Sequence, residues 1–139
     1  MKVERSISIR NADGVWSQIK NGSTVPLGSY LKVRVVATPM PGTEINYTVL
    51  ESPKPGGGET IPADDARFKP GADALHHVLR EDREAFSAFH YEHAEAAFAA
   101  EYVVLTEFTG TFRLAPARVE LMYKPTVGGH SDSFELMVK

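Results

Sequence analysis

Alternation with a period of two runs through most of this chain and leaves little choice of fold class. In YLKVRVVAT, Leu31, Val33, Val35 and Ala37 fall on one face, opposite Tyr30, Lys32, Arg34 and Val36. In KVERSISI, Val3, Ile7 and Ile9 share a face, and Arg5 is the exception in their row. INYTVLE sets Ile45, Tyr47 and Val49 on one side and Asn46 and Thr48 on the other. Successive side chains of a strand point to opposite faces, so this pattern predicts half-buried antiparallel strands. Further strands are expected at 74–80, 84–90, 97–108, 111–114, 117–122 and 133–138.

Turn chemistry falls between these runs. Asn21-Gly22 and Leu27-Gly28 bracket a short segment, Pro39, Pro41 and Gly42 separate a pair of strands, and Pro125, Gly128 and Gly129 are expected to separate the last pair. The longest interruption, 52–72, holds eight of the twenty Gly and Pro residues. Only about fifty residues precede it, too few for a complete set of strands, so it reads as a long ordered loop within one domain rather than a linker. The expectation is an all-β antiparallel sandwich of about seven to nine strands, with immunoglobulin-like architecture and a single domain over 1–139. Residues 82–101 argue back, being rich in Ala and Glu with Phe86, Phe89, Ala97 and Ala100 near helical spacing. Phe98, Ala100, Tyr102, Val104 and Thr106 nevertheless run on as a strand. Two strands joined around 91–96, with at most one helical turn, are expected there.

Composition narrows the chemistry. A chain of 139 residues suits one domain that buries roughly two-thirds of its unfolded surface, without metal or disulfide staples. The absence of cysteine removes disulfide frameworks, Cys-based zinc sites, iron–sulfur clusters and thiol nucleophiles. Net charge is −3 with no basic run, so no nucleic-acid partner is expected. No window approaches the apolar length of a membrane span, and MKVERSISIR lacks the apolar block of a signal peptide. Either the protein is cytosolic, or Met1 opens within a longer chain.

The candidate reactive residues do not assemble into a site. His76 and His77 are neighbours and would point to opposite faces of a strand; His90 and His93 would share a face only on a helix, with Glu92 and Glu95 nearby. Solvent-facing histidines are the simpler reading, and no metal is expected. Gly56–Gly58 resemble a phosphate loop only superficially, because Glu59-Thr60-Ile61-Pro62 follow in place of Lys-Ser or Lys-Thr and a helix. Asp64-Asp65 and Glu81-Asp82 lie beside Arg67, Arg80 and Arg83 as solvated neighbours, and no G-x-S-x-G occurs. Neither an enzyme nor a cofactor is expected. What remains is GTFRLAPARVELMYKP, 110–125, which closes a strand on Met122 and Tyr123 before Pro125. A Met-Tyr pair at a strand exit makes a soft apolar tip with one hydroxyl, suited either to plugging its own sandwich or to meeting a partner.

That same stretch resembles the G-T-F-x-x-P-P-x-x-x-x-x-M-Y-x-P signature in the last macroglobulin-like domain of bacterial α2-macroglobulins. Gly22-Ser-Thr-Val-Pro-Leu-Gly28 with Tyr30-Leu-Lys-Val-Arg-Val is similar to that family's opening. Tyr47 through Glu59 is similar to its strand and glycine loop, Arg80-Glu-Asp-Arg83 with Phe86 to its R-D-D-R-x-x-F, and Tyr102 through Gly110 to the strand before the signature. These elements cover about 3–138 in the family's order. The departures are Ala115 or Ala117 at one signature proline, Leu105 at a usual arginine, Lys-Pro-Gly-Gly in place of Leu-Pro-Ala-Gly, and the Ala-rich run 94–100.

The resemblance implies a non-catalytic C-terminal domain of a protease trap. In such a trap a bait region is cut and a Cys-x-x-Gln thioester, carried by a separate upstream domain, captures the protease. It implies that Met122 and Tyr123 cover that thioester. The implied partners are the thioester domain, the neighbouring macroglobulin domains and, indirectly, trapped proteases. It also implies an exported, periplasmic or cell-envelope location and a Met1 that marks a cut within a longer parent. The rival reading is a stand-alone adhesive or carbohydrate-binding sandwich whose contact surface is the 52–72 loop with Tyr47, Phe68 and Tyr91. If the tip serves as a cover, Met122 and Tyr123 should be more exposed than other apolar residues.

Overall fold

A computed structural model describes residues 1–42, 47–62, 65–68, 76–79, 83–88 and 97–139. Among them are β1 (Lys2–Arg10), β2 (Trp16–Ile19), β3 (Thr24–Val25), β4 (Tyr30–Thr38), β5 (Thr48–Pro53), β6 (Gly58–Thr60), β7 (His76–Leu79), β8 (Arg83–Ala88), β9 (Phe98–Thr106), β10 (Gly110–Leu114), β11 (Arg118–Leu121), β12 (Lys124–His130) and β13 (Phe134–Val138). A 3₁₀ turn, Ala66–Phe68, lies between β6 and β7. The architecture is all-β, as the alternation requires. The helical turn expected at 91–96 falls outside the described residues.

Three sheets contribute to one core. The first runs β2-β1-β4-β9-β6, the second β10-β13-β3 and the third β12-β11-β5-β8-β7. Among the described residues, pairing is antiparallel except between β13 and the two residues of β3. The inward row of β4, Leu31, Val33, Val35 and Ala37, meets Val3 and Ile7 of β1, Leu50 of β5, Tyr102 and Val104 of β9, Leu114, Val119, Leu136 and Val138. Each is nearly or wholly inaccessible, as packing at native density demands.

Two polar devices tie the layers together. Arg5, the exception in its apolar row, donates from Nη1 to the Ala115 carbonyl (2.6 Å) and from Nη2 to the carbonyls of Leu114 (3.2 Å) and Asp132 (3.1 Å). Burial lowers its pKa, and the three acceptors satisfy a charge that would otherwise be costly inside. Across the core, the Tyr102 hydroxyl of β9 and Ser52 Oγ of β5 share a hydrogen bond of 2.7 Å.

Several sequence expectations need correcting. There are more strands than seven to nine, because β2, β3 and β6 are too short for a period of two to register and β12 carries the proline and glycines expected of a turn. Gly128 and Gly129 do not separate the last pair of strands: they lie within β12. A Cβ on Gly128 would fall 2.4 Å from the Val119 carbonyl oxygen, and one on Gly129 2.3 Å from that of Met1, so glycine is required by close backbone approach rather than by a turn. On β5 the buried row is Thr48, Leu50 and Ser52, while Tyr47 and Val49 are only half-buried. The Ser52–Tyr102 bond draws that face inward despite its hydroxyls.

Candidate functional site: the Met122–Tyr123 hairpin tip

β11 is held on both sides, and this positions the tip. Its register sets Val119 opposite Leu50 and Leu121 opposite Thr48 on β5, while Leu121 faces Lys124 on β12. Met122 and Tyr123 are thus the two residues of the connecting turn. Two-residue hairpins normally take turns with positive φ, because those match the strand twist. Neither Met122 nor Tyr123 has positive φ. The mismatch is absorbed next door. Glu120 pairs with Gly128 and Leu121 with Lys124, so Pro125, Thr126 and Val127 bulge out of the ladder. Pro125, which has no N–H to donate, sits in that bulge on an edge strand.

The tip projects as an apolar feature. Tyr123 is 81% exposed, the highest value among the large apolar and aromatic side chains of the described residues. The expected exposure holds for Tyr123 and not for Met122, which is half-buried while Val15, Leu27, Met40 and Phe108 are exposed; Lys124, Pro125 and Thr126 are exposed too. The Met122 amide donates to the Tyr47 carbonyl (2.8 Å), and the Tyr47 and Tyr123 rings meet edge to face, 5.4 Å between centroids at 81°. In the sequence Tyr47 stands on a strand face, in a rival contact surface and at the start of a stretch similar to the family's strand and glycine loop, none of which puts it beside Met122 and Tyr123. Its place at this tip arises from long-range pairing of β5 with β11, which no local pattern reveals.

The first half of the signature has a packing role. The Phe112 ring lies against the glycine loop: a Cβ on Gly57 would fall 2.4 Å from it, and one on Gly56 3.7 Å. The Gly57 carbonyl accepts from the amides of Glu107 (2.8 Å) and Phe108 (3.1 Å), and the Gly58 amide donates to the Pro55 carbonyl (3.2 Å). The first two bonds tie the glycine loop to the segment that links β9 to β10. At Ala117, one of the two candidates for the departed proline, the amide donates to Ser131 Oγ (2.9 Å), a bond that proline could not make.

Among the described residues, the other sequence candidates do not converge on the tip. Phe68 is buried, packed on Tyr30 (4.7 Å) and Trp16 (6.2 Å) with Arg10 over its ring, so it cannot serve an adhesive surface. Tyr91, His90, His93 and Asp64 lie outside the described residues. His76 and His77 are adjacent on β7, paired in register with Ser87 and Phe86. Asp65 pairs with Arg67 (2.9 Å), whose hydrogen bonds hold the Asp65 carboxyl down at about 2. Among the described residues no group of three or more His, Asp or Glu is placed to hold a metal ion.

Fold and tip together define a class: an antiparallel β-sandwich module that presents an aromatic hairpin tip from a shared apolar core. Within that class, the chain belongs to the bacterial α2-macroglobulin family, since the model described as the bacterial alpha-2-macroglobulin MG10 domain matches residues 1–126. Among solved structures it is similar to native α2-macroglobulin from Escherichia coli spanning domain MG7 to the C-terminus, with TM-score 0.75 and 16% identity over 99% of this chain and 23% of that one. It is also similar to a tyrosine-to-glycine mutant of Salmonella α2-macroglobulin (0.74, 21%, 99% and 9%). A third likeness is to Salmonella α2-macroglobulin reacted with methylamine (0.70, 20%, 99% and 9%). At such identities these likenesses establish the fold. The chain spans only 9% to 23% of the length of these three structures. No curated protein sequence matches it significantly.

Proposed function

We propose that this chain is the non-catalytic C-terminal domain of a bacterial α2-macroglobulin-like protease trap, exported to the periplasm or cell envelope. Its partners would be the thioester domain and the neighbouring macroglobulin domains of one parent chain. In this reading Met122 and Tyr123 cover the thioester. A thioester is lost when water or a small nucleophile attacks its carbonyl, and a flat aromatic ring beside a flexible thioether excludes both. The observation that carries the reading is the 81% exposure of Tyr123 on a turn held by β5 and β12. A side chain needed only as the domain's own plug would be buried. Two relatives support the chemistry: a Salmonella structure is described as reacted with methylamine, and an Escherichia coli structure as trypsin activated.

The test is made in the full-length parent. Met122 and Tyr123 are replaced together by alanine and methylamine incorporation is followed before any protease is added. The expected rate rises at least about tenfold, which corresponds to ~1.4 kcal/mol of lost protection. An unchanged rate refutes the covering role. Cell fractionation of the parent tests the location, and recovery in the cytosol would contradict it.

A further inference from the structure

Tyr47 is a backbone outlier with a specific neighbour. Its φ is +51°, and it has the sole positive φ of a non-glycine among the described residues. A tyrosine in the left-handed region is strained, and strain of this kind persists only where surrounding contacts over-determine it. Those contacts come from the turn. The Tyr47 carbonyl accepts the Met122 amide at 2.8 Å, and its ring stands at 81° to the Tyr123 ring, 5.4 Å away. Tyr47 also immediately precedes β5, whose Thr48 pairs with Leu121. Backbone and ring of one residue therefore grip both residues of the turn.

We infer that Tyr47 is the positioning residue of this tip: its left-handed backbone sets the turn, and its ring holds the Tyr123 ring in one orientation. The alternative sources of order are weak. Tyr123 is 81% exposed, so its orientation owes little to the domain core. On the β12 side only the Leu121–Lys124 pair flanks the turn before the ladder bulges at Pro125–Val127, so β12 fixes the ends of the turn but not the Tyr123 ring. Edge-to-face geometry is the preferred arrangement of two aromatic quadrupoles, and it restrains a ring more than apolar contact alone. A pre-oriented ring also has less rotamer freedom to lose when a partner closes over it. The inference rests on the covering role only for its consequence in the parent; the positioning itself belongs to this chain.

Three variants of this chain separate backbone from ring. Tyr47→Phe keeps both the ring and the strained backbone. Tyr47→Gly removes the ring but suits positive φ, so the carbonyl can still accept from Met122. Tyr47→Val disfavours the left-handed backbone and removes the ring. Protection of the Met122 amide from hydrogen exchange and the Tyr123 χ1 couplings are read by NMR. Tyr47→Phe should match the parent sequence in both readings. Tyr47→Gly should keep the Met122 amide protected while the Tyr123 couplings average over rotamers, and Tyr47→Val should lose both. A Tyr123 ring equally ordered in Tyr47→Gly would overturn the inference. In the full-length parent, Tyr47→Gly should raise methylamine incorporation by about threefold to tenfold, the worth of an aromatic pair, with Tyr47→Phe within about twofold. If the double alanine variant accelerates incorporation and Tyr47→Gly does not, positioning by Tyr47 is refuted. If the double variant also fails, the covering role falls, and the couplings alone decide the inference.

Discussion

Replacing Tyr102 by phenylalanine removes one oxygen from the centre of the sandwich and leaves its shape almost intact. That oxygen bonds Ser52 Oγ at 2.7 Å, joining a strand of the first sheet to one of the third. Tyr102 is 3% exposed and Ser52 0%, so water does not replace the lost partner. A net hydrogen bond contributes about 1 kcal/mol, and an orphaned buried hydroxyl costs about 1–3 kcal/mol, so Tyr102→Phe should destabilise by about 2 kcal/mol. For a domain of this size, that is roughly 6 to 8 °C in Tm. Ser52→Ala should cost less, about 1 kcal/mol, because the Tyr102 hydroxyl keeps a longer approach to the Pro53 carbonyl at 3.5 Å. The double variant should cost no more than Tyr102→Phe, giving a coupling of about 1 kcal/mol. Thr48 on the same buried row is the control. Its hydroxyl has no hydrogen-bond partner among the described residues, so Thr48→Val should be neutral or stabilising. Urea unfolding, read through the single Trp16, measures all four variants. Strict additivity, or a Tyr102→Phe cost below about 0.5 kcal/mol, would refute the argument that this bond links the layers.

Two further outcomes follow from local geometry. The Asp65 carboxyl, held near 2 by hydrogen bonds from Arg67, should titrate there by NMR and return toward the ordinary carboxylate range in Arg67→Ala. Because the folded pKa is depressed, its contribution is present above the unfolded value of about 4 and is lost as pH falls from there toward 2. Gly57→Ala would place a Cβ 2.4 Å from the Phe112 ring and should cost about 1–3 kcal/mol by thermal unfolding. Gly56→Ala, at an ordinary 3.7 Å, should cost much less, and Phe112→Leu should relieve the Gly57→Ala penalty.

The regions of this molecule legible in its sequence are those whose physics is local. β4 runs nine residues, long enough for alternation to declare a buried face, whereas β9, of the same length, is covered on both faces and reads as a near-continuous apolar run. The two residues of β3 carry no such signal and are held by the neighbouring Met137–Val138 pairing. Gly128 and Gly129 show why composition misleads. In sequence they resemble a turn, but their requirement comes from Val119 on the neighbouring strand and from Met1 at the far end of the chain. The tip divides the same way. Met122 and Tyr123 stand out because a strand exit before proline has a recognisable grammar, and the family signature reinforces it. Tyr47 has no such mark, since its strain and its grip on the turn exist only once β5 has paired with β11. A residue that acts through geometry fixed elsewhere is invisible to periodicity. Its left-handed backbone is the physical trace by which folding discloses it, and the Tyr47→Gly and Tyr47→Phe pair measures whether that trace reflects a working element of the tip.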